Sequence, residues 1–304
     1  MAIDFRPSLD DREIAAVTSV LTGRTLVHGP VTEKFETEFA ARLQVKHAVA
    51  VSSCTAGLYL LSLSGETWKV PALTHPATAN ALELGARKIG AWLDGPVWHH
   101  RGPDHALHID TPPMGKAAVY SFYATKNMTS VEGGMVCTND AELAAKIQAL
   151  RSFAYVRDPE RPWLYDISAV AMNLRMSELH AAVGLVQLHK LDGFQKLRQR
   201  NALALADMLS SMEAEVIGDY YAMNVYVAER DRIIGGLREQ GVMASVHYPM
   251  PVPLMKHYRE RYMTHERLFP VSLDLSRRLI SLPIGPHLDL EDMKTMADTL
   301  KGLL

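Results

Sequence analysis

A single lysine, Lys126, lies between two short apolar segments, and this arrangement constrains the chain more than any other feature. The segments, residues 117–123 and 135–138, are rich in strand-forming residues and predict a strand, a loop and a second strand. Gly133 and Gly134 come just before the second strand. A lysine between buried strands must be paired or lose its proton, and a neutral lysine is a nucleophile that forms Schiff bases. An exposed loop lysine without a chemical role is the alternative.

Composition bounds the class of protein. The chain has 304 residues, enough for one large domain and a smaller one. A net charge of −2 gives no basic field, so we expect neither nucleic acid nor a membrane surface as a partner. The N-terminus lacks the apolar segment of a signal peptide, and no apolar run is long enough to span a membrane. The two cysteines, Cys54 and Cys137, make no disulfide framework, which predicts a cytoplasmic location.

Short apolar runs alternate with helical patterns in the first half of the chain. The predicted order is strand 48–51, helix 55–63, strand 69–73, helix 78–84 and strand 89–93, with a further strand at 106–109. Other helices are predicted at residues 8–21 (capped by Ser8), 31–43, 140–153, 176–191, 194–212, 230–240 and 290–303, and other strands at 223–227 and 242–248. The alternation predicts an α/β fold with a parallel sheet. The pattern changes after residue 194, so we predict a large domain at 1–194 and a small α+β domain at 195–304.

Two positions in this pattern suit a ligand. Ser53, Cys54 and Thr55 lie at the start of the predicted helix 55–63, where free N–H groups and the helix dipole favour a phosphate. A plain helix cap is the alternative. Asp110 follows the predicted strand 106–109, and ligands of α/β sheets bind beyond the carboxyl ends of strands.

Four histidines crowd one short segment: His99, His100, His105 and His108. Their spacing fits no metal-ligand template, and no cysteine joins them. We therefore predict a half-exposed loop and no metal site.

Several blocks of the sequence, taken in order, resemble one family. They are GPVTEKFETEFAARLQVKHAVAVSSCTAGLYL, VPALTHPATANALELGA, YSFYATKNMTSVEGGMVCT, MNLRMSELHAAVGLVQL, SVHYPMP and SLPIGPHLD. Each block is weak alone, but the six in sequence resemble the DegT/DnrJ/EryC1/StrS aminotransferases of amino-sugar biosynthesis. The resemblance implies a fold type I enzyme dependent on pyridoxal 5′-phosphate (PLP). Its large domain has a mostly parallel sheet with helices on both faces, and a smaller α+β domain follows.

The resemblance also implies roles for individual residues. It assigns cofactor contacts to Ser53, Cys54, Thr55, His75, Asp110, Ser121, Lys126 and Asn173. Lys126 matches the lysine that binds PLP as a Schiff base and then transfers the proton. Asp110 is the candidate partner that keeps the pyridine nitrogen protonated. His75 matches a residue stacked on the ring, Ser121 a phosphate contact, and Asn173 a phosphate ligand donated across a dimer interface.

This chain departs from the family pattern in a few places. Residues 94–126 are shortened, and Pro113 stands where the family has a side chain that contacts the PLP phenolic oxygen. Cys54 replaces the usual glycine of the phosphate-binding turn, and Leu174 replaces an aromatic residue. The shortening and the change at Leu174 bear on substrate choice more than on cofactor binding.

The predicted function is amino transfer from an amino acid, with glutamate as the expected donor, to a keto-sugar nucleotide, by a homodimer with shared active sites. His247, Tyr248 and His287 lie in loops that could border the acceptor. One alternative is a PLP enzyme with another acceptor or reaction, such as an amine or a modified nucleotide. The other is a shortened, non-catalytic paralogue.

Overall fold

The computed structural model describes residues 2–63, 69–88, 97–99, 109, 112–113 and 115–304. The first elements are α1 Asp11–Gly23, α2 Pro30–Leu43, β1 His47–Val51, α3 Cys54–Ser62, β2 Lys69–Pro71, α4 Pro76–Lys88, β3 Val97–His99, β4 Ala117–Ser121, β5 Gly134–Thr138 and α5 Ala141–Leu150. They are followed by β6 Tyr155–Arg157, β7 Tyr165–Ile167, α6 Glu178–Met208, β8 Ala214–Ile217, β9 Ala222–Tyr226, α7 Arg230–Glu239, α8 Lys256–Tyr262, α9 Pro270–Arg278, β10 Leu279–Pro283 and α10 Leu290–Leu303. The predicted strand 89–93 lies outside the described residues, as does 106–109 apart from Ile109.

The two strands beside the lysine loop are direct neighbours. β5 lies between β1 and β4 and is antiparallel to both, so that Val136 pairs with Val49 on one side and Val119 on the other. β1 and β4 therefore run in the same direction. β5 is reversed because the chain returns from β4 through a loop and not through a helix. Among the described strands, β2 and β3 form the parallel pair.

Helices cover both faces of this three-stranded sheet, as predicted. On one face, Phe39 of α2 packs against Tyr120 and Phe122, with ring centroids 5.3 and 5.2 Å apart. Phe35 joins the same buried cluster, to which α6 also contributes. On the other face, α3 and α5 pack against the valines of the three strands. The site described below lies at the end of this sheet where the loop leaves β4.

A separate core occupies the C-terminal part of the chain, and the predicted domain boundary lies close to its edge. It unites the end of α6 with β9, β10, α7 and α10, and it includes Ile3 from the N-terminal segment. The Ile3 amide donates to the Gly241 carbonyl at 3.0 Å, and its own carbonyl accepts from Met243 at 2.8 Å. The division at residues 194 and 195 stays a prediction, because α6 crosses this position without a break.

Two helix predictions were wrong in detail. The first helix is capped by Asp10 and not by Ser8: Asp10 and Glu13 form a reciprocal capping box. The predicted helices 176–191 and 194–212 are one helix, α6, that continues through Gly193. A glycine inside a helix costs only about 1 kcal/mol, and α6 recovers this because residues on both sides of Gly193 are buried in the two large cores.

The predicted strand 242–248 does not form. Val242 and Ser245 make single bridges, to Ile3 and Ser281 respectively, instead of a continuous ladder. Pro249 and Pro251 follow, and a proline has no N–H to extend such pairing. Within the part of the chain that the structure describes, no helix combines the length and apolar character needed to cross a membrane.

Candidate active site

The loop between β4 and β5 places Lys126 on a cavity. The Lys126 amide donates to the Tyr123 carbonyl at 2.9 Å, and the Phe122 amide donates to the Gly133 carbonyl at 3.0 Å, so the loop is closed at its base. Lys126 is half-buried and lines a cavity of about 360 Å³. It is therefore not a freely exposed loop lysine.

The cavity brings together most of the residues that the sequence singled out. Its lining includes Ser53, Cys54, Thr55, His75, Ser121, Lys126, His247 and Tyr248. They come from the start of α3, the turn before α4, the end of β4, the lysine loop and the segment after α7. Only the family resemblance predicted that residues so far apart in the chain would lie together.

The turn before α3 both caps the helix and lines the cavity, so it combines the two roles that the sequence left open. Ser53 is the N-cap of α3, and its hydroxyl accepts from the Ala56 amide at 3.1 Å. It also lines the cavity with Cys54 and Thr55. A Cβ on Gly134 would lie only 2.6 Å from the Cys54 nitrogen, so β5 contacts this turn through bare backbone. Glycine at the start of β5 thus allows the helix N-terminus to approach the lysine loop.

Aromatic rings form one wall of the cavity. His75 and Tyr248 meet edge to face with centroids 5.8 Å apart, and Tyr248 meets His247 in the same way at 5.5 Å. His247 in turn contacts the ring of Tyr221 at 5.4 Å. The rings meet nearly at right angles, and each combines an aromatic face with a polar atom, so the wall can contact a ring-shaped ligand and offer it hydrogen bonds.

Two predicted residues that the structure describes, Asn173 and His287, do not line the cavity. Asn173 is exposed, and its side-chain oxygen accepts weakly from the Arg175 amide at 3.4 Å. His287 lies apart, with its Nε2 atom 3.1 Å from the Asp4 carbonyl. Asp110 lies outside the described residues, as do His100, His105 and His108. Within the described ranges, no group of three or more His, Cys, Asp or Glu side chains is arranged to hold a metal ion.

The cavity also has lining residues that the sequence reasoning did not single out as site residues. They include Leu58, Thr78, Tyr123, Thr125, Glu132 and Tyr221. Thr125 and Glu132 flank the lysine within its own loop, so their position in the sequence could have indicated that they line the cavity. Tyr221 belongs to the turn between β8 and β9, and no local pattern links that turn to Lys126.

Burial sets the protonation behaviour of His287. Burial lowers the pKa of His287 from its ordinary 6.5, and the nearby Arg6 lowers it further, against the opposing effect of Asp4. The folded chain therefore favours the neutral ring, whereas the unfolded chain takes up a proton near pH 6.5. Stability must fall as the pH drops below 6.5 towards the lowered value.

We expect the substitution His287→Gln to reduce this acid sensitivity. Between pH 7 and pH 5, the free energy of unfolding of H287Q should decline less steeply than that of the wild type, as measured by urea unfolding at each pH. An identical slope for the two proteins would show that His287 does not titrate differently on folding. His28, whose pKa burial also lowers, provides a second proton-linked site that should persist in H287Q.

Comparison with known proteins yields a consistent group of relatives. A sequence profile of the DegT/DnrJ/EryC1/StrS aminotransferase family matches residues 7–92 and 111–301. The spore coat polysaccharide biosynthesis protein SpsC of Bacillus subtilis is 28% identical, with 98% of this chain and 96% of SpsC aligned. That alignment runs over 374 positions against a chain of 304 residues, so SpsC carries at least 70 positions without a counterpart here. The unmatched stretch 93–110 lies mostly within the segment predicted to be shortened.

Solved structures share the fold. Helicobacter pylori PseC, an aminotransferase involved in the biosynthesis of pseudoaminic acid, superposes with a TM-score of 0.84 at 22% identity, covering 100% of this chain and 99% of PseC. Spr1654 of Streptococcus pneumoniae, in its PMP form, superposes with a TM-score of 0.87 at 19% identity, covering 100% of this chain and 98% of that one. A PLP form of Spr1654 is also similar, with a TM-score of 0.83.

Proposed function

Because the chain belongs to the DegT/DnrJ/EryC1/StrS aminotransferase family, we propose that it transfers an amino group from glutamate to a keto-sugar nucleotide. Membership confirms the resemblance seen in the sequence, the class of enzyme, its dependence on PLP and the fold type I architecture. The donor, the nucleotide carrier and the residue roles are proposals. The observation that carries them is that Lys126 shares one cavity with the N-terminus of α3.

The described residues fit PLP. The N-terminus of α3, where the helix dipole favours an anion, lies on the cavity, and Ser53, Thr55 and Ser121 add hydroxyl groups suited to a phosphate. Lys126 faces the same space, where its amine would attach the cofactor covalently. When bound, PLP supplies an aldehyde that condenses with amines and a ring that withdraws electrons. His75 would lie against the ring, and Asp110 is the proposed partner of the ring nitrogen.

Lys126 has a second task once the amino donor has replaced it. Its freed amine would act as the base that accepts the proton from Cα of the donor, and as the acid that delivers that proton to the cofactor. Lys126 is half-buried on the cavity, and Tyr248 and His247 line the same space. These two residues border the space that we assign to the acceptor.

The proposal is tested by following each half of the reaction. The reconstituted protein should be yellow, and glutamate alone should release one 2-oxoglutarate per active site. A panel of keto-sugar nucleotides should then yield an aminated product detectable by mass spectrometry. Release of 2-oxoglutarate without any aminated sugar would favour another acceptor. A protein that binds no PLP would favour the non-catalytic alternative and end the proposal.

We further propose that the enzyme is a homodimer that buries an apolar arm, defined as residues 155–172. The arm comprises the hairpin β6–β7 and the segment that follows it. It exposes eight large apolar side chains: Tyr155, Val156, Trp163, Leu164, Tyr165, Ile167, Val170 and Met172. An exposed group of this size is typical of an interaction surface. Asn173 comes directly after the arm, which supports its proposed role in the partner's site.

Replacing Trp163 by Asp should weaken the dimer. Trp163 is 72% exposed in the single chain, so the change removes little packing within the protomer but places a charge in the interface. We expect the dimer dissociation constant to rise about thirtyfold or more, the effect of a typical tryptophan hot spot. Sedimentation should then show the 33.7 kDa protomer at concentrations where the wild type has twice that mass.

Met263→Asp provides the matched control, because Met263 is 81% exposed and lies outside the arm. Equal sedimentation of W163D and M263D would rule out the arm as the interface. The cytoplasmic location is likewise a proposal, supported by two cysteines, Cys54 and Cys137, that form no disulfide.

A further inference from the structure

A turn from the C-terminal half of the chain contacts the lysine loop. This turn, residues 218–221, connects β8 to β9. Its last residue, Tyr221, is buried, and the Nζ atom of Lys126 lies 5.1 Å from the centroid of its ring. The Tyr221 hydroxyl lies 3.4 Å from the Oγ1 atom of Thr125. An ammonium over an aromatic face at this distance makes a favourable cation–π contact.

The residue after the lysine reaches the same turn. The side-chain amide of Asn127 donates to the Asp219 carbonyl at 2.6 Å, and Gln195 of α6 donates to the same carbonyl at 3.3 Å. The Asp219 carboxylate accepts from the Ile109 amide at 2.7 Å. The turn therefore contacts the residues on both sides of Lys126 as well as the lysine itself.

The turn is itself tied to α6 and to the N-terminal segment, and these contacts support it. Arg198 of α6 is 4% exposed and donates to the carbonyls of Tyr220 and Tyr221 at 3.4 and 3.3 Å. Burial lowers the pKa of Arg198 to about 10, which leaves its charge intact at neutral pH. The ring of Tyr221 is also stacked against Phe5, with centroids 5.8 Å apart.

We propose that Tyr221 is a positioning residue for Lys126: its ring holds the lysine amine in the place from which it attaches to the cofactor. A free lysine side chain samples many rotamers, and fixing it in advance removes that entropy cost from the bond-forming step. This inference rests on the proposed function, in which Lys126 is the attachment point. It assigns a role in the active site to a turn that comes from outside the predicted large domain.

The test compares an aldehyde ligand with a similar ligand that cannot bond to lysine. The full-length chain is freed of cofactor with hydroxylamine, and the affinities for PLP and for pyridoxine 5′-phosphate are measured by titration calorimetry. The alcohol has the ring and the phosphate but no aldehyde. Tyr221 lines the cavity, so Tyr221→Leu can weaken both ligands through a lost ring contact; we expect it to weaken PLP binding about tenfold more than binding of the alcohol, the value of pre-ordering one lysine side chain. Tyr221→Phe keeps the ring and should match the wild type for both ligands.

Tyr220→Leu is the matched control, because Tyr220 lies in the same turn but is not among the residues lining the cavity. It should leave both affinities unchanged. If Y221L does not fold, Asn127→Ala serves instead, since it releases the loop from the Asp219 carbonyl and should also weaken PLP binding selectively.

Two results would overturn the inference. Equal losses for aldehyde and alcohol would make Tyr221 a wall of the ligand pocket or a structural residue, and unchanged PLP affinity in Y221L would show that the ring does not position the amine. Failure of the proposed function has a different signature. In that case the wild type itself would bind PLP no better than the alcohol, and borohydride would attach no cofactor to Lys126.

Discussion

Lys126→Ala is expected to abolish covalent attachment of PLP and to lower the rate of amino transfer by about 10²- to 10⁴-fold. The amine has two tasks in the proposed mechanism, attachment and proton transfer, and alanine can perform neither. The proposed phosphate site at the start of α3 consists of other residues, so K126A should still bind PLP non-covalently. Borohydride treatment followed by peptide mass spectrometry should label Lys126 in the wild type and nothing in the variant.

A small amine in solution should restore part of the lost activity. Alanine leaves space where the lysine chain stood, and ethylamine can enter it and accept the proton from Cα of the donor. We expect the rate in K126A to rise with ethylamine concentration and with pH, because only the neutral amine is a base. The wild type should not respond. Rescue by ethylamine would show that K126A loses activity because proton transfer is lost and not because the site is distorted.

Lys116→Ala is the matched control for K126A. Lys116 precedes β4, is about half exposed and makes a long ion pair with Asp140 at 3.8 Å. Its removal should change neither the adduct nor the rate. If K126A keeps its yellow colour and a borohydride-stable adduct, another lysine holds the cofactor and the assignment of Lys126 is wrong.

Local sequence patterns predicted the centre of this site well. The strands on either side of Lys126, and the turn at Ser53, each depend on a few consecutive residues whose preferences agree with the fold. The cap of α3 and the close approach of Gly134 are consequences of the same short stretches. Where the local preference of a segment agrees with its tertiary structure, that structure can be predicted from a single sequence.

Contacts between distant segments could not be predicted in the same way. Tyr221 contacts Lys126 although the two residues are 95 positions apart in the chain. Arg198 hydrogen-bonds to the turn that carries Tyr221 and so helps to place it there. The continuity of α6 through Gly193 depends on cores that bury both halves of that helix. Neither fact leaves a local signal, because each is decided by packing against elements remote in sequence.

The largest expected effect on stability comes from Glu178. This side chain is 1% exposed and lies at the start of α6, but it caps a different helix. Its carboxylate accepts from the amides of Gly29, Val31 and Thr32 at 2.8–3.0 Å, and also from the Thr32 hydroxyl. These amides belong to the N-terminus of α2, whose own cap residue, Gly29, has no side chain to serve them.

Glu178→Ala should therefore reduce the free energy of unfolding by about 3 kcal/mol, since it leaves several buried donors without an acceptor and removes a negative charge from a helix N-terminus. Glu178→Gln should lose a smaller part of this, because the amide keeps one acceptor oxygen but turns its NH₂ group towards a main-chain N–H. Urea unfolding followed by circular dichroism measures both changes.

Glu142→Ala is the matched control for this series. Glu142 is an exposed residue in the first turn of α5, where Asp140 already supplies the cap. Its removal should change the free energy of unfolding by less than about 0.5 kcal/mol. Stability in E178A equal to that of E142A would mean that water reaches the amides of α2 in the folded protein. α2 packs on α6 through Phe35, which lies against Gly184, so loss of the cap should also loosen the face of the sheet that supports the lysine loop.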